Sequence, residues 1–207
     1  VDMLALLVLM STARPSSVVV QPSNTPAAAA AAKCNADRVF MLTPSASDPA
    51  VMEAGDNIFQ ICFSDTNQGK ASAQYIKSKN LATKVGVIYD SSNPYSAGIY
   101  ATFKAEAANQ GLTIAAEAPF TDDTKGDLTT QVTKCQQAGC DLVFLPIYVA
   151  EAARVLSAAD AAAYQTKFFG CDGLDGILGQ EGFDPALAEG VMLLTPFSAD
   201  ATDELTQ

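Results

Sequence analysis

Val39-Phe-Met-Leu-Thr-Pro-Ser-Ala-Ser-Asp-Pro-Ala-Val51 sets a short apolar run against hydroxyls, small residues and prolines, beside a possible helix start. Such a corner suits an anion. Hydroxyls and freed backbone N–H groups at the carboxyl end of a strand, or at a helix N-terminus, receive a carboxylate or phosphate without a cationic side chain. The plainer use of the same corner is a strand-to-helix turn with Ser47 or Asp48 as its N-cap. At this level both uses stay open.

Outward from that corner, short β-rich runs alternate with segments of helical period. After Val18–Val20 and Val39–Leu42 come a helix over about Gln68–Lys79, a strand at Val85–Tyr89 and a helix over about Ser96–Gln110. The order continues through Ile114–Ala116, Asp127–Ala138, Leu142–Leu145, Ala150–Ala162, Lys167–Phe169 and Val191–Thr195. This alternation predicts an α/β fold of βαβ units, with Val85–Ile88, Leu142–Leu145 and Lys167–Phe169 as parallel neighbours and helices on both faces. Ile99, Phe103 and Ala107 fall on one helical face, Leu128, Val132 and Cys135 on another, and Ala152, Val155, Leu156 and Ala159 on a third. Packing on a sheet is their simplest use. Gly111 and Gly139 each stand between a helix and a strand, where a left-handed cap is expected. Ala27–Ala32 is read as a small-residue helix lying close on a strand, and Pro15, Pro22 and Pro26 blur the edges of the first β-run.

The chain has 207 residues and is 49% hydrophobic, enough for a substantial core in one or two units. Its 23 acidic and 12 basic residues give a formal charge of −11. That balance argues against nonspecific nucleic-acid binding and adhesion to anionic membranes, both of which rely on basic patches. With no histidine, the commonest general base near neutral pH is missing, and so are imidazole metal sites and histidine triads. Neither a cofactor nor a metal is expected. Cys34, Cys62, Cys135, Cys140 and Cys171 make no CxxC pair, and buried free thiols are expected rather than a bridge. Thr121-Asp-Asp-Thr-Lys-Gly-Asp127 lacks the twelve-residue calcium-loop pattern and leads into a helix that Asp127 could cap. The apolar stretch in Val1–Met10 is too short to span a bilayer, and without a basic flank or initiator Met an internal fragment is expected there. Lys33 before Cys34 stands where a lipoprotein signal would have a small residue, so that anchor is set aside.

Thr43-Pro-Ser-Ala-Ser-Asp-Pro49 resembles the ligand loop of the leucine/isoleucine/valine-type substrate-binding proteins of ABC importers, within the type 1 periplasmic binding proteins. Further likenesses follow in order: Asp56-Asn-Ile-Phe-Gln-Ile-Cys-Phe-Ser-Asp65 with Asn67-Gln-Gly69, then Lys84-Val-Gly-Val-Ile-Tyr-Asp90 with Tyr95-Ser-Ala-Gly98. Asp141-Leu-Val-Phe-Leu-Pro-Ile-Tyr148 and Phe168-Phe-Gly-Cys-Asp-Gly173 complete them, so that roughly residues 18 to 200 are covered. The resemblance implies a two-lobed fold with parallel sheets flanked by helices and ligand in the cleft. On it, residues 1–66 are a partial first lobe, 67–195 the second lobe, and 196–207 the start of a return to the first. The first lobe would be incomplete.

An α-amino acid carries a carboxylate, an ammonium group and one distinguishing side chain. The resemblance places the carboxylate at Ser45, Ala46 and Ser47, with the Ala46 amide and the Ser47 hydroxyl as donors, and at Thr25, for which Ser23 is the rival. It places the ammonium at Asp172, whose plainer role is a turn residue before Gly173; Asp175 is read as that turn residue instead. Tyr95 and Tyr148 would close over the ligand with a flat apolar face and a polar tip, against a core or surface role for each.

The function so implied is that of a non-enzymatic, extracytoplasmic component that binds a small amino acid and presents it, as a monomer, to an ABC permease in the membrane. The importer would hydrolyse ATP, since no GxxxxGK[ST] motif occurs here. The alternative is a ligand-sensing domain of a receptor or regulatory protein on the same scaffold.

Overall fold

The computed structural model describes residues 17–19 and 24–195. The expected strand end Val20, the loop residue Ser23 and the return segment 196–207 lie outside the described residues. Contacts divide the chain into two compact units, with the boundary between Thr66 and Asn67.

The first unit contains β1 (Ser17–Val19), α1 (Asn24–Asp37), β2 (Phe40–Thr43), α2 (Pro49–Met52) and β3 (Ile58–Gln60). Its sheet runs β1-β2-β3 and is parallel throughout. The alanines of α1 serve close approach: Ala27 and Ala31 are fully buried and cluster with Met41, Val51 and Ile58. Alternation sends Phe40 and Phe59 the other way, where their rings stack at 5.2 Å and stay exposed. Strand β3 is not expected from the sequence reading. It is only three residues long and has one exposed aromatic, too short for a period-2 signal.

Helix α3 (Asp65–Ser78) begins three residues before the expected Gln68. Ser64-Asp65-Thr66-Asn67 is polar and gives no apolar period, but the Asp65 N–H is fixed by the Ser47 carbonyl at 3.0 Å. Beyond it come β4 (Lys84–Asp90), α4 (Pro94–Gln110), β5 (Thr113–Phe120), α5 (Thr129–Gln137), β6 (Leu142–Leu145), α6 (Val149–Ala161), β7 (Lys167–Gly170) and β8 (Met192–Leu193). The sheet order is β5-β4-β6-β7-β8. All pairs are parallel, Val85 opposite Leu142 and Leu142 opposite Lys167. The three strands expected as parallel neighbours are neighbours. Strand β5 runs four residues past the expected Ala116, because Pro119 is tolerated on the outermost strand, where its lost N–H breaks no ladder.

Strand β6 is buried at every position. Leu142 and Phe144 join Val85, Val87 and Phe169 in a core closed by Ala73 and Ile76 of α3 and Ile99, Phe103 and Ala107 of α4. Val143 and Leu145 join Ile88 in a second core closed by Val132 and Cys135 of α5 and Ala152, Val155, Leu156 and Ala159 of α6. Helices therefore cover both faces, as two-sided burial of a parallel sheet requires. Gly111 ends α4 at φ 63°, and Gly139 follows α5 at φ 67°, each in the left-handed conformation that favours glycine. Leu128 occupies the cap position of α5, but the capping bond comes from Asp127, whose carboxylate accepts from the Thr129 N–H at 2.9 Å. All five cysteines are free thiols. Cys62 is only half-buried, unlike the other four.

Gly69 marks a close crossing of α3 and α4. A Cβ there would strike the Thr102 hydroxyl and lie 2.5 Å from the Ile99 carbonyl and 2.7 Å from the Phe103 nitrogen. Backbone cannot rotate aside as a side chain can, so Gly69→Ala has to push α3 off α4. We expect a loss of about 2 kcal/mol in urea unfolding, against almost no change for Gly126→Ala, whose Cβ would meet nothing within 4 Å.

Candidate functional site

In the first unit, β2 ends on Thr43, and the chain turns at once because the Thr43 hydroxyl accepts from the Ala46 N–H at 3.0 Å. Ala46 and Ser47 are buried while Ser45 is exposed. Asp48 rather than Ser47 caps α2, its carboxylate accepting from the Ala50 N–H at 2.9 Å with Pro49 following. These bonds narrow the anion corner read from the sequence. The short helix already has a carboxylate at its N-terminus, and the Ala46 amide, expected to face a ligand, already donates to Thr43. An incoming carboxylate would have to share that amide with Thr43. Thr25 falls in the first turn of α1, and its side chain lies outside the described residues.

In the second unit, three expected residues stand at the carboxyl ends of adjacent strands. Tyr95 follows β4 at the start of α4, placed by Asn93, whose side chain accepts from the Tyr95 N–H at 3.0 Å. Tyr148 follows β6 as the N-cap residue of α6. Asp172 follows β7 and opens a single 3-10 turn, Asp172–Leu174. Adjacent strands bring the three together. The Tyr95 hydroxyl donates to Asp172 Oδ1 at 2.6 Å and accepts from the Gly173 N–H at 2.9 Å. The Tyr95 and Tyr148 rings stack at 4.7 Å, 17° from parallel.

The two tyrosines differ in what they can offer. Tyr95 is 4% exposed and Tyr148 42%, so Tyr148 presents its ring to solvent while Tyr95 lies within the core as a support for Asp172. The expectation that both close over a ligand is thus divided by burial. Gly173 makes the cluster possible, since a Cβ there would lie 2.8 Å from both the Ile147 carbonyl and the Tyr95 hydroxyl. Asp175 is exposed, and its N–H bonds back to the Asp172 carbonyl at 2.9 Å, which is the turn role expected of it.

Gln68 is the residue that sequence reasoning passed over. It is fully buried in α3, and its Oε1 accepts from the Asp172 N–H at 3.4 Å. Its Nε2 has no hydrogen-bond partner among the described residues, a deficit that costs about 1–3 kcal/mol for a buried group. Its only sequence signal was its place in Asn67-Gln-Gly69, where it looks like any polar residue near a helix start.

A depression of about 80 Å³ lies beside Tyr148, lined by Asp90, Ser96, Asp122, Lys125 and Glu151 among others. A wider groove of about 440 Å³, between α5, α6 and the later 3-10 turns, shares no residue with the Tyr95–Tyr148–Asp172 cluster. Size alone therefore does not locate this site; the converging polar groups do. Among the described residues no group of His, Cys, Asp and Glu could hold a metal ion, and no helix is long and apolar enough to cross a membrane.

The family model described as "periplasmic binding protein" matches residues 14–207. The chain belongs to the periplasmic binding protein family. Among its relatives, the Leu/Ile/Val-binding protein homolog 3 of Brucella melitensis is 32% identical over 139 residues, 66% of this chain and 37% of that protein. The Leu/Ile/Val-binding protein of Escherichia coli K12 is 28% identical over 172 residues, 78% of this chain and 44% of that protein. The branched-chain amino acid transporter substrate binding protein of Streptococcus pneumoniae, solved in complex with isoleucine, superposes with a TM-score of 0.77 at 26% identity, covering 90% of this chain and 53% of that one. The chain thus spans under half the length of these curated relatives. Membership bears out the type 1, leucine/isoleucine/valine-like resemblance and the mixed α/β fold with parallel sheets. The relatives are named as binding proteins.

Within this periplasmic binding protein, burial above all, then the neighbouring Cys171 and Asp172, pushes the Tyr95 phenol well above its ordinary value. Burial likewise pushes Tyr164 up to about 12. A phenol whose folded pKa exceeds its unfolded one adds stability that is whole below about pH 10 and is lost as pH rises beyond it. Stability measured by urea unfolding should therefore fall steeply above that pH. Tyr95→Phe should be about 1–3 kcal/mol less stable near neutrality, because the Gly173 N–H loses its acceptor. Above pH 10 its stability should fall less steeply than that of the wild type.

Proposed function

We propose that this chain is the solute-binding part of an ABC importer, holding a small leucine-, isoleucine- or valine-like amino acid between two lobes divided near residue 66. The observation that carries the reading is the carboxylate of Asp172, held by the Tyr95 hydroxyl beside the exposed ring of Tyr148. A carboxylate that accepts from the phenol through one oxygen offers its other oxygen to an ammonium ion. The adjacent ring suits an aliphatic side chain.

The first lobe would complete the match. Ser45 and Ser47, with Thr25 and a shared Ala46 amide, offer hydroxyl and N–H donors to the ligand carboxylate, so the two ends of the zwitterion are recognised by separate lobes. A ligand that contacts both lobes favours the closed population over the open one, which gives a permease a liganded shape to recognise. The component works outside the cytoplasm, as a monomer, and leaves ATP hydrolysis to its membrane partner. The ligands named for the relatives support the amino-acid class: Leu, Ile and Val for the proteins of Brucella and Escherichia, and isoleucine in the Streptococcus complex.

Calorimetry on the intact binding protein tests this. Asp172→Ala should weaken leucine, isoleucine or valine binding by about 2–5 kcal/mol, because the buried ammonium loses its partner and water replaces it poorly. Asp172→Asn keeps an acceptor but not the charge and should fall between Ala and wild type. Asp175→Ala should bind nearly as wild type. Unchanged affinity in Asp172→Ala would remove Asp172 from the site and the amino-acid reading with it.

A further inference from the structure

Side chains from other elements hold the Asp172 turn at three points, of which Tyr95 accounts for two: it donates to the carboxylate and accepts from the Gly173 N–H. The third is the Asp172 N–H, and its acceptor is Gln68 Oε1 at 3.4 Å. Gln68 sits on a turn of α3 that cannot drift, because Gly69 beside it packs against the backbone of α4. One turn later, Ser72 is fully buried with its hydroxyl 4.0 Å from the Cys171 sulfur. The Gln68–Ser72 face of α3 therefore lies along the segment that ends in Asp172.

We infer that Gln68 is a positioning residue for ligand binding, setting the direction of the Asp172 carboxylate by holding its backbone amide. The side chain needed there must reach across, accept a hydrogen bond and carry no charge. Methionine has the reach but accepts only weakly, and glutamate would bury a second negative charge beside Asp172. Glutamine meets all three needs, at the cost of a buried amide hydrogen pair with no acceptor among the described residues.

This rests on the amino-acid-binding reading of Asp172, and it separates stability from affinity. Gln68→Met in the intact binding protein removes the stranded donor but also leaves the Asp172 N–H without its acceptor, two effects that roughly offset, so its Tm should stay close to that of wild type. Its Kd for leucine, isoleucine or valine should rise about fivefold or more, roughly what one hydrogen bond is worth. Hydrogen exchange should show the Asp172 amide protected in wild type and fast in Gln68→Met, with the β4–β6 amides unaffected. Wild-type affinity in Gln68→Met overturns the inference, as does a lowered Tm accompanying the weaker binding, which would make Gln68 merely structural. Fast exchange at Asp172 in the wild type overturns the tether itself. If wild type binds none of the three amino acids, the functional reading fails, and the exchange measurement still decides whether Gln68 holds the turn.

Discussion

A parallel strand covered by helices on both faces has no side left for polar chemistry, and β6 is such a strand. Its four residues alternate between two apolar cores, and β4 and β7 beside it are nearly as deeply buried. Burying a polar group without a partner costs several times the net worth of a hydrogen bond. Functional groups are therefore displaced to where the strands stop. Because the three strands are adjacent and run the same way, their carboxyl ends form one row, and the residues just past them, Tyr95, Tyr148 and Asp172, meet although the sequence separates them widely. The cluster follows from the sheet's direction and order.

Within that row, burial sorts the roles. A carboxylate that is to stay charged in a half-dry place needs donors that do not compete for its proton, and a buried phenol is such a donor because burial makes its own ionisation still harder. Tyr95 thus holds the Asp172 carboxylate as a neutral donor. The stacked Tyr148 keeps Tyr95 dry while exposing its own ring. Gly173 adds no atoms to the cluster, which is why the turn can approach both tyrosines and a backbone carbonyl together.

The first unit solves a smaller problem with smaller parts. Its helix α1 is rich in alanine, and the close seat of Ala27 and Ala31 leaves little side-chain volume with which to make a core. The corner after β2 is consequently tied by short-range bonds, Thr43 to Ala46 and Asp48 to Ala50. Those bonds hold the two serines in place and also occupy donors that a freely exposed loop would have offered.

The sequence by itself determined the element order of the second unit, the parallel sense of its sheet, the stripes that pack on it and the capping glycines Gly111 and Gly139. All of these depend on local period and local conformation, which the order of residues encodes directly. The serine loop is legible as hydroxyls just past an apolar run, whereas Asp172 is singled out by the family resemblance. What the sequence could not contain is which neighbours a side chain meets. Ala46 appeared as a donor until Thr43 was found to claim its N–H, Tyr95 and Tyr148 appeared alike until burial separated them, and Gln68 appeared ordinary until α3 was seen to bring it to Asp172. Burial and hydrogen-bond partnership are properties of atoms drawn together across 77 and 104 residues, and only the packed sheet and its helices decide them.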